Sequence, residues 1–150
     1  MDAAVEIQEP RLQRLLAYWR SKCNGELFPA RADIDPAEFR FVLGNVFLVA
    51  LEGDPPVFRY RLFGTNLARR AGYDLTGRTL EDIPAEDMRA HLRGQYAAML
   101  AQPAPRADRG ERRQDGRRRF ELLLLPLSGH GRRLDMIIGA LLYTDPLAPG

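Results

Sequence analysis

A chain of 150 residues and 17.0 kDa has room for one ordinary domain and not for two. Apolar types make up 45% and charged types 28%, a globular mixture without a disorder signature, and a chain of this length buries roughly two thirds of its unfolded surface without staples. A net charge of +2 is too small to argue for a polyanionic partner, the single Cys23 excludes an intrachain disulfide and a cysteine zinc cage, and no apolar run approaches the roughly 18 residues of a membrane-spanning helix.

Residues 10 to 22 read as an amphipathic helix. Pro10 suits its first position, and Leu12, Leu15, Leu16 and Trp19 fall at i, i+3, i+4 and i+7, one apolar stripe. Gly25 and Pro29 end it. Pro29 to Pro36 is an extended connector. Asp35 then caps a short helix with Pro36 first and Glu38 third, an acidic capping box. That helix carries Phe39, Val42 and Leu43 and stops at Gly44.

Residues 45 to 52 read as a strand that alternates Val46, Leu48 and Ala50 with Phe47, Val49 and Leu51. A strand apolar on both faces has to be covered on both. After the turn Gly53-Asp54-Pro55-Pro56, the strand Val57 to Phe63 sets Phe58, Tyr60 and Leu62 against Arg59 and Arg61, the half-buried pattern of an edge. Gly64 to Pro84 breaks into short pieces: a helical turn from Thr65 to Ala71, a break at Gly72-Tyr73-Asp74, a turn at Gly77-Arg78, and a turn capped by Thr79 with Asp82 three residues on.

A longer helix runs from about Pro84 to Ala101, with an acidic first turn (Glu86, Asp87) and an inner stripe of Met88, His91/Leu92, Gln95/Tyr96 and Met99. Residues 104 to 114 are polar and arginine-rich and fit only an edge strand. Gln114-Asp115-Gly116-Arg117 carries a hairpin signal. Phe120 to Leu127 is a strand, Ser128 to Gly131 a turn, and Leu134 to Tyr143 a last strand apolar on both faces.

Central strands should be the doubly buried ones and edge strands the polar ones. The expected fold class is therefore α+β: a five-stranded antiparallel sheet of order 2-1-5-4-3, helices on one face and the N-terminal helix on the other. The expected division is 1–24 as an amphipathic cap and dimerisation helix, 25–145 as the main domain and 146–150 as a tail.

This order resembles a PAS domain. Tyr18-Trp19, the run Pro29-Ala30-Arg31-Ala32-Asp33-Ile34-Asp35-Pro36, the run Phe58-Arg59-Tyr60-Arg61-Leu62-Phe63-Gly64-Thr65, then Leu75-Thr76-Gly77-Arg78 and Leu125-Pro126-Leu127-Ser128 are similar to segments of a bacterial group of stand-alone PAS proteins. The resemblance covers about residues 15 to 143. It implies a sensory or interaction module with a cavity between sheet and helices, and not an enzyme. No output domain is recognisable, so the signal would leave through protein contact.

The cavity wall is expected from Leu48 and Ala50, Tyr60 and Leu62, Leu67 and Leu80, Met88, His91, Leu92 and Gln95, and Leu122, Leu124, Ile138 and Ala140. One register slip inverts any strand's list. Arg61 is read as a charged donor toward an anionic ligand or the carboxylate of Asp33 or Asp35. The alternative is a solvated strand face. Leu12, Leu15, Leu16 and Trp19 are expected to cover the sheet and to offer leftover apolar area to a second copy, which makes a homodimer.

Cofactor identity stays open. Some haem-binding PAS domains are similar in carrying an axial histidine on the helix before their last three strands, where His91 lies. A single histidine on a core-facing stripe is more often a satisfied polar residue. His130 falls in a hairpin turn. Flavin-binding relatives that form a photo-adduct carry a cysteine within an Asn-Cys-Arg-like motif, and residues 64 to 83 contain no cysteine. Haem and flavin are both disfavoured on these grounds.

All of the 22 basic residues but Lys22 are arginine, a bias that a GC-rich genome would produce without any choice of arginine for its planar fork. Residues 106 to 119 hold seven arginines (106, 109, 112, 113, 117, 118, 119) against Asp108, Glu111 and Asp115. Without an aromatic stacking platform there, blunting of an edge strand explains them as well as nucleic-acid binding does. Catalytic patterns are sparse. Only Ser21 and Ser128 are serines, the glycines are too widely spaced for a phosphate loop, and only Glu121 or Asp135 offers an inward carboxylate. The reading is a sensor that binds an unknown small molecule, docks a protein partner, or both, with no membrane segment and a cytoplasmic address. A small cone-shaped isomerase-like enzyme and nucleic-acid binding through 106–119 are the alternatives.

Overall fold

The computed structural model describes residues 6–112, 118–129 and 133–144. Pro10 opens α1 (Pro10–Ser21), and the Glu9 carboxylate accepts from the Arg11 amide at 3.2 Å as its cap. The connector contains 3-10 turns at Arg31–Asp33, Pro36–Phe39 and Leu43–Asn45. Asp35 caps the second of these, accepting from the Ala37 amide at 3.0 Å. The short helix expected through Leu43 is thus two separate turns, with Gly44 inside the second. A close approach explains the break. A Cβ on Gly64 would stand 2.2 Å from the Gly44 carbonyl oxygen, so two glycines let this turn press against the start of α2 (Thr65–Ala71).

Strands β1 (Val46–Glu52), β2 (Val57–Phe63), β3 (Arg106–Arg112), β4 (Arg118–Ser128) and β5 (Leu134–Thr144) form one antiparallel sheet of order β2-β1-β5-β4-β3, as the patterning predicts. The doubly apolar strands are central. The β2 edge is partly covered, because the Tyr60 amide donates to the Arg78 carbonyl at 2.8 Å and the Gly77 amide to the Tyr60 carbonyl at 2.7 Å. The expected Asp-Gly turn lies outside the described residues, as do His130 and the tail beyond Thr144.

Two apolar layers sandwich the sheet. On one face α1 and the connector pack on Leu123, Leu125, Leu127, Ile138, Ala140 and Leu142. Trp19 is anchored there, its Nε1–H donating to the Pro126 carbonyl at 2.9 Å. On the other face α2, the 3-10 turn Leu80–Asp82 and α3 (Glu86–Ala101) pack on Phe47, Val49, Tyr60, Leu122, Leu124 and Ile137. The expected Thr79–Asp82 capping box is present, with the Thr79 amide donating to Asp82 Oδ2 at 2.9 Å.

Leu12, Leu15, Leu16 and Trp19 are buried beneath α1 in a single chain. While α1 stays docked they have no apolar area left for a second copy, because the sheet has taken it. The outward side of α1 carries Arg11, Gln13, Arg14 and Arg20, a solvated face.

Candidate functional site

Between the sheet and the α2/α3 layer lies an apolar cavity of about 80 Å³. Its walls are aromatic on the sheet side. Phe47 leans on Tyr60 at 5.8 Å between ring centroids, Tyr60 meets Phe63 edge-on at 6.0 Å, and Phe120 meets Tyr143 at 6.3 Å. Leu67, Leu75, Ile83, Met88 and Leu92 close the helical side.

Polar atoms near the cavity are few and mostly engaged. The Tyr60 and Tyr96 hydroxyls, both buried, share a hydrogen bond of 2.7 Å. Burial holds both phenols above their ordinary range. His91 lines the wall, and its Nε2 sits 2.6 Å from Asp108 Oδ2 on β3. Arg70 lies at the mouth, its guanidinium carbon 4.1 Å from the centre of the Tyr143 ring.

Of the residues expected at the wall, the structure brings Tyr60, Leu67, Met88, His91, Leu92 and Leu122 together around this space. Leu80 and Leu124 sit in the same apolar layer without reaching the cavity. Leu48, Leu62 and Ile138 are corrections, since they pack with the α1 layer on the opposite face. Ala140 goes with them, and Ala50 is not among the lining residues. In β1 and β5 the other alternating set turns inward, namely Phe47, Val49, Ile137 and Leu141. A strand apolar on both faces gives no signal for choosing between its two sets.

Leu62 has a more specific cause. The β1–β2 register jumps from Leu48↔Leu62 to Val49↔Tyr60, so Arg61 is an extra residue, a bulge. The bulge flips the parity of β2, sending Leu62 to the α1 side and Phe63 into the cavity. Arg61 itself is a second correction. It pairs with Glu52 together with Arg59, whose Nε–Oε1 distance is 2.9 Å, and reaches neither Asp33 nor Asp35. Gln95 also turns away, its Oε1 accepting from Arg106 Nε at 3.2 Å.

Phe63, Tyr73, Phe120, Tyr143 and Arg70 line the cavity without having been singled out from sequence. Arg70 gave no usable signal, since a basic pair in the last turn of a helix suits the helix dipole anyway. Glu121 and Asp135, the expected inward carboxylates, do not face the cavity. Glu121 accepts from the Gln8 and Glu9 amides at 2.9 and 3.0 Å, and Asp135 accepts from the Gly129 amide at 2.6 Å. Within 106–119 the described guanidinium groups are engaged: Arg106 with Gln95, Arg109 with Glu6 at 3.7 Å, and Arg119 with Glu111 at 3.7 Å.

The sequence matches the family described as PAS domain over residues 7–142. The chain therefore belongs to the PAS domain family, with a five-stranded sensory-domain fold. Solved structures similar to it include the Rhodobacter sphaeroides LOV protein, at 17% identity and a TM-score of 0.48 over 77% of this chain and 71% of that one. An RNA-binding Light-Oxygen-Voltage receptor is similar at 23% identity and 0.48, over 78% and 36%. The PAS domain of an HTR-like protein from Haloarcula marismortui is similar at 19% and 0.40, over 90% and 99%. No curated protein matches the sequence.

The cavity as it stands has no room for a flavin or a haem. About 80 Å³ is far below the roughly 300–1,000 Å³ of sites for ligands of drug size. Cys23 packs with the α1 layer, across the sheet from the cavity. The Nε2 of His91 already faces a carboxylate.

Proposed function

We propose that this protein is a non-enzymatic sensory module that takes a small apolar molecule between its sheet and α2/α3 and passes its occupancy to a protein partner by contact. The observation that carries this reading is the cavity itself. An empty apolar space of about 80 Å³ costs on the order of 2 kcal/mol of stability at about 24 cal/mol per Å³. A fitting occupant restores those contacts and stiffens the helices that wall it. The few polar atoms at its margin, on His91, Arg70 and the Tyr60–Tyr96 pair, supply orientation and not a reaction, since no carboxylate, thiol or serine hydroxyl is among the described lining residues.

Native mass spectrometry of protein purified from its own host, with a thermal screen of small acids, alcohols and amines, tests the reading. A retained mass, or a rise in melting temperature that Leu122→Phe abolishes by filling the space, supports it. A folded protein with no retained mass and no response to any of the three classes overturns it.

A further inference from the structure

We infer that the ligand is a short-chain aliphatic carboxylate, its alkyl chain in the cavity and its carboxylate on Arg70. This rests on the small-molecule reading above and names the ligand class of the same site. Outside the cavity lies a polar cleft of about 520 Å³ whose lining includes Arg11, Arg69 and Arg70 and, among the described residues, no aspartate or glutamate. Leu67, Arg70 and Tyr143 line both spaces, so these three side chains are the wall between them. Arg70 is therefore the one charged side chain shared by the apolar and the basic compartment.

The cleft is built and not incidental. Arg69 Nη1 donates to Asn66 Oδ1 at 3.3 Å, Asn66 Nδ2 donates to Asn45 Oδ1 at 2.9 Å, and Asn45 Nδ2 donates to the Leu141 carbonyl at 3.1 Å. This chain of bonds ties α2 to β5 and sets Arg69 beside Arg70. The glycine pair Gly44 and Gly64 lets α2 come close enough for it. Arg11 is neutralised by Glu9 at 2.9 Å, whereas among the described residues no carboxylate pairs with Arg69 or Arg70. Among the described residues Arg70 has only the Tyr143 ring face, a contact that a carboxylate accepting two guanidinium N–H groups outcompetes.

Size selects the chain. The cavity has about half the roughly 150 Å³ of an apolar cavity that takes benzene, so it admits a few methylenes and not a ring. A neutral alcohol would fill the cavity but leave the cleft's charge unanswered. An amine would meet repulsion, and acetate has no tail to bury.

The full chain is titrated with pentanoate, propionate, acetate and 1-pentanol at constant ionic strength, reading melting temperature and calorimetric affinity. The expected order is pentanoate above propionate, with acetate silent and 1-pentanol weaker than pentanoate by about tenfold or more, the worth of a charge-assisted bond. Arg70→Gln should weaken pentanoate by a similar factor and leave 1-pentanol unchanged, while Arg40→Gln, outside both linings, should change neither. Equal binding of 1-pentanol and pentanoate, or an Arg70→Gln variant that keeps full pentanoate affinity, overturns the carboxylate while the cavity reading stands. Acetate matching pentanoate overturns it too, since the cleft would then bind anions without the cavity. Silence from all four ligands overturns the carboxylate, and the cavity reading is then decided by the retained mass and the amines of the wider screen. If Arg70→Gln does not fold, the wild-type series decides alone.

Discussion

Phe47 on β1 stands directly opposite Gly139 on β5, and its ring occupies the space that a side chain at 139 would need. A Cβ there would lie 2.0 Å from Phe47 Cζ. The glycine thereby lets an aromatic ring lie flat across the centre of the sheet and form part of the cavity wall. Gly139→Ala must displace that ring in a close-packed layer. The expected cost is about 1–3 kcal/mol, as for other overpacked cores, read as a lower midpoint in urea. Phe47→Leu should recover part of that loss in the double variant. Additive effects would show that the two positions do not share the space.

The Tyr60–Tyr96 hydroxyl pair makes a second prediction. Neither phenol has another hydrogen-bond partner among the described residues, so Tyr96→Phe leaves the Tyr60 hydroxyl buried without one. The expected loss is about 1–3 kcal/mol, and the double Tyr→Phe variant should be less destabilised than the sum of the singles. Burial raises both pKa values in the folded state. Folding therefore favours the protonated phenols. Their contribution is complete below the ordinary phenol value of about 10 and is lost as pH climbs toward the raised folded values. Melting temperature measured against pH should fall through that alkaline window in the wild type and fall less steeply in the double variant. Parallel curves would refute the coupling.

These two pairs show where patterning sufficed and where it failed. The sheet order followed from which strands were apolar on both faces, because only a central strand can bury both. The same property hid the inward faces of β1 and β5, since two apolar sets are indistinguishable without a partner to read against. Phe47 and Ile137 are as apolar as Leu48 and Ile138, and alternation alone gives no reason to prefer either set. In β2 the alternation was readable up to Tyr60 and misled beyond it. A bulge at Arg61 leaves no composition signal, only a change of parity that appears once Val49 is seen opposite Tyr60. Arg70 was lost for another reason, since its sequence context already had a sufficient explanation in the helix dipole.

The bulge also reverses an expectation about the two arginines of β2. With Arg61 read as the anchor, its loss should outweigh that of Arg59. In the structure Arg59 does more, bonding Glu52 through Nε at 2.9 Å and the Gly77 carbonyl through Nη1 at 2.8 Å, and so tying β2 to the turn that covers its edge. Among the described residues Arg61 has Glu52 alone, and it is the more exposed of the two. Arg59→Ala should lower the melting temperature more than Arg61→Ala. The hydrogen bond from Arg59 is also the main cause of the lowered Glu52 pKa, with Arg61 contributing through charge. A lowered carboxylate favours the folded state above its unfolded pKa and loses that advantage as pH falls through the folded one. An NMR titration of Glu52 should therefore move upward further in Arg59→Ala than in Arg61→Ala. The opposite ranking would return Arg61 to the role first expected of it.

The docking of α1 depends on a carboxylate placed under its entry. Glu121 is 4% exposed on β4, and its two oxygens separately accept the Gln8 and Glu9 amides, the last residues before the helix. Glu121→Gln keeps one acceptor and turns an amide N–H₂ toward the other donor, so one bond is lost at a cost of about 1–3 kcal/mol. Because the bond lies at the start of α1, the loss should be local first. Amide exchange over residues 10–21 should quicken more than that of β1 or β5, and Trp19 emission should shift to the red as its bond to Pro126 opens. Removing residues 1–24 carries the same logic to its limit. It uncovers Leu123, Leu125 and Leu127, each fully buried, on a contiguous face of the sheet. The shortened chain should aggregate or fail to fold. If it stays soluble with an unchanged melting temperature, α1 is not the cover that holds this face closed.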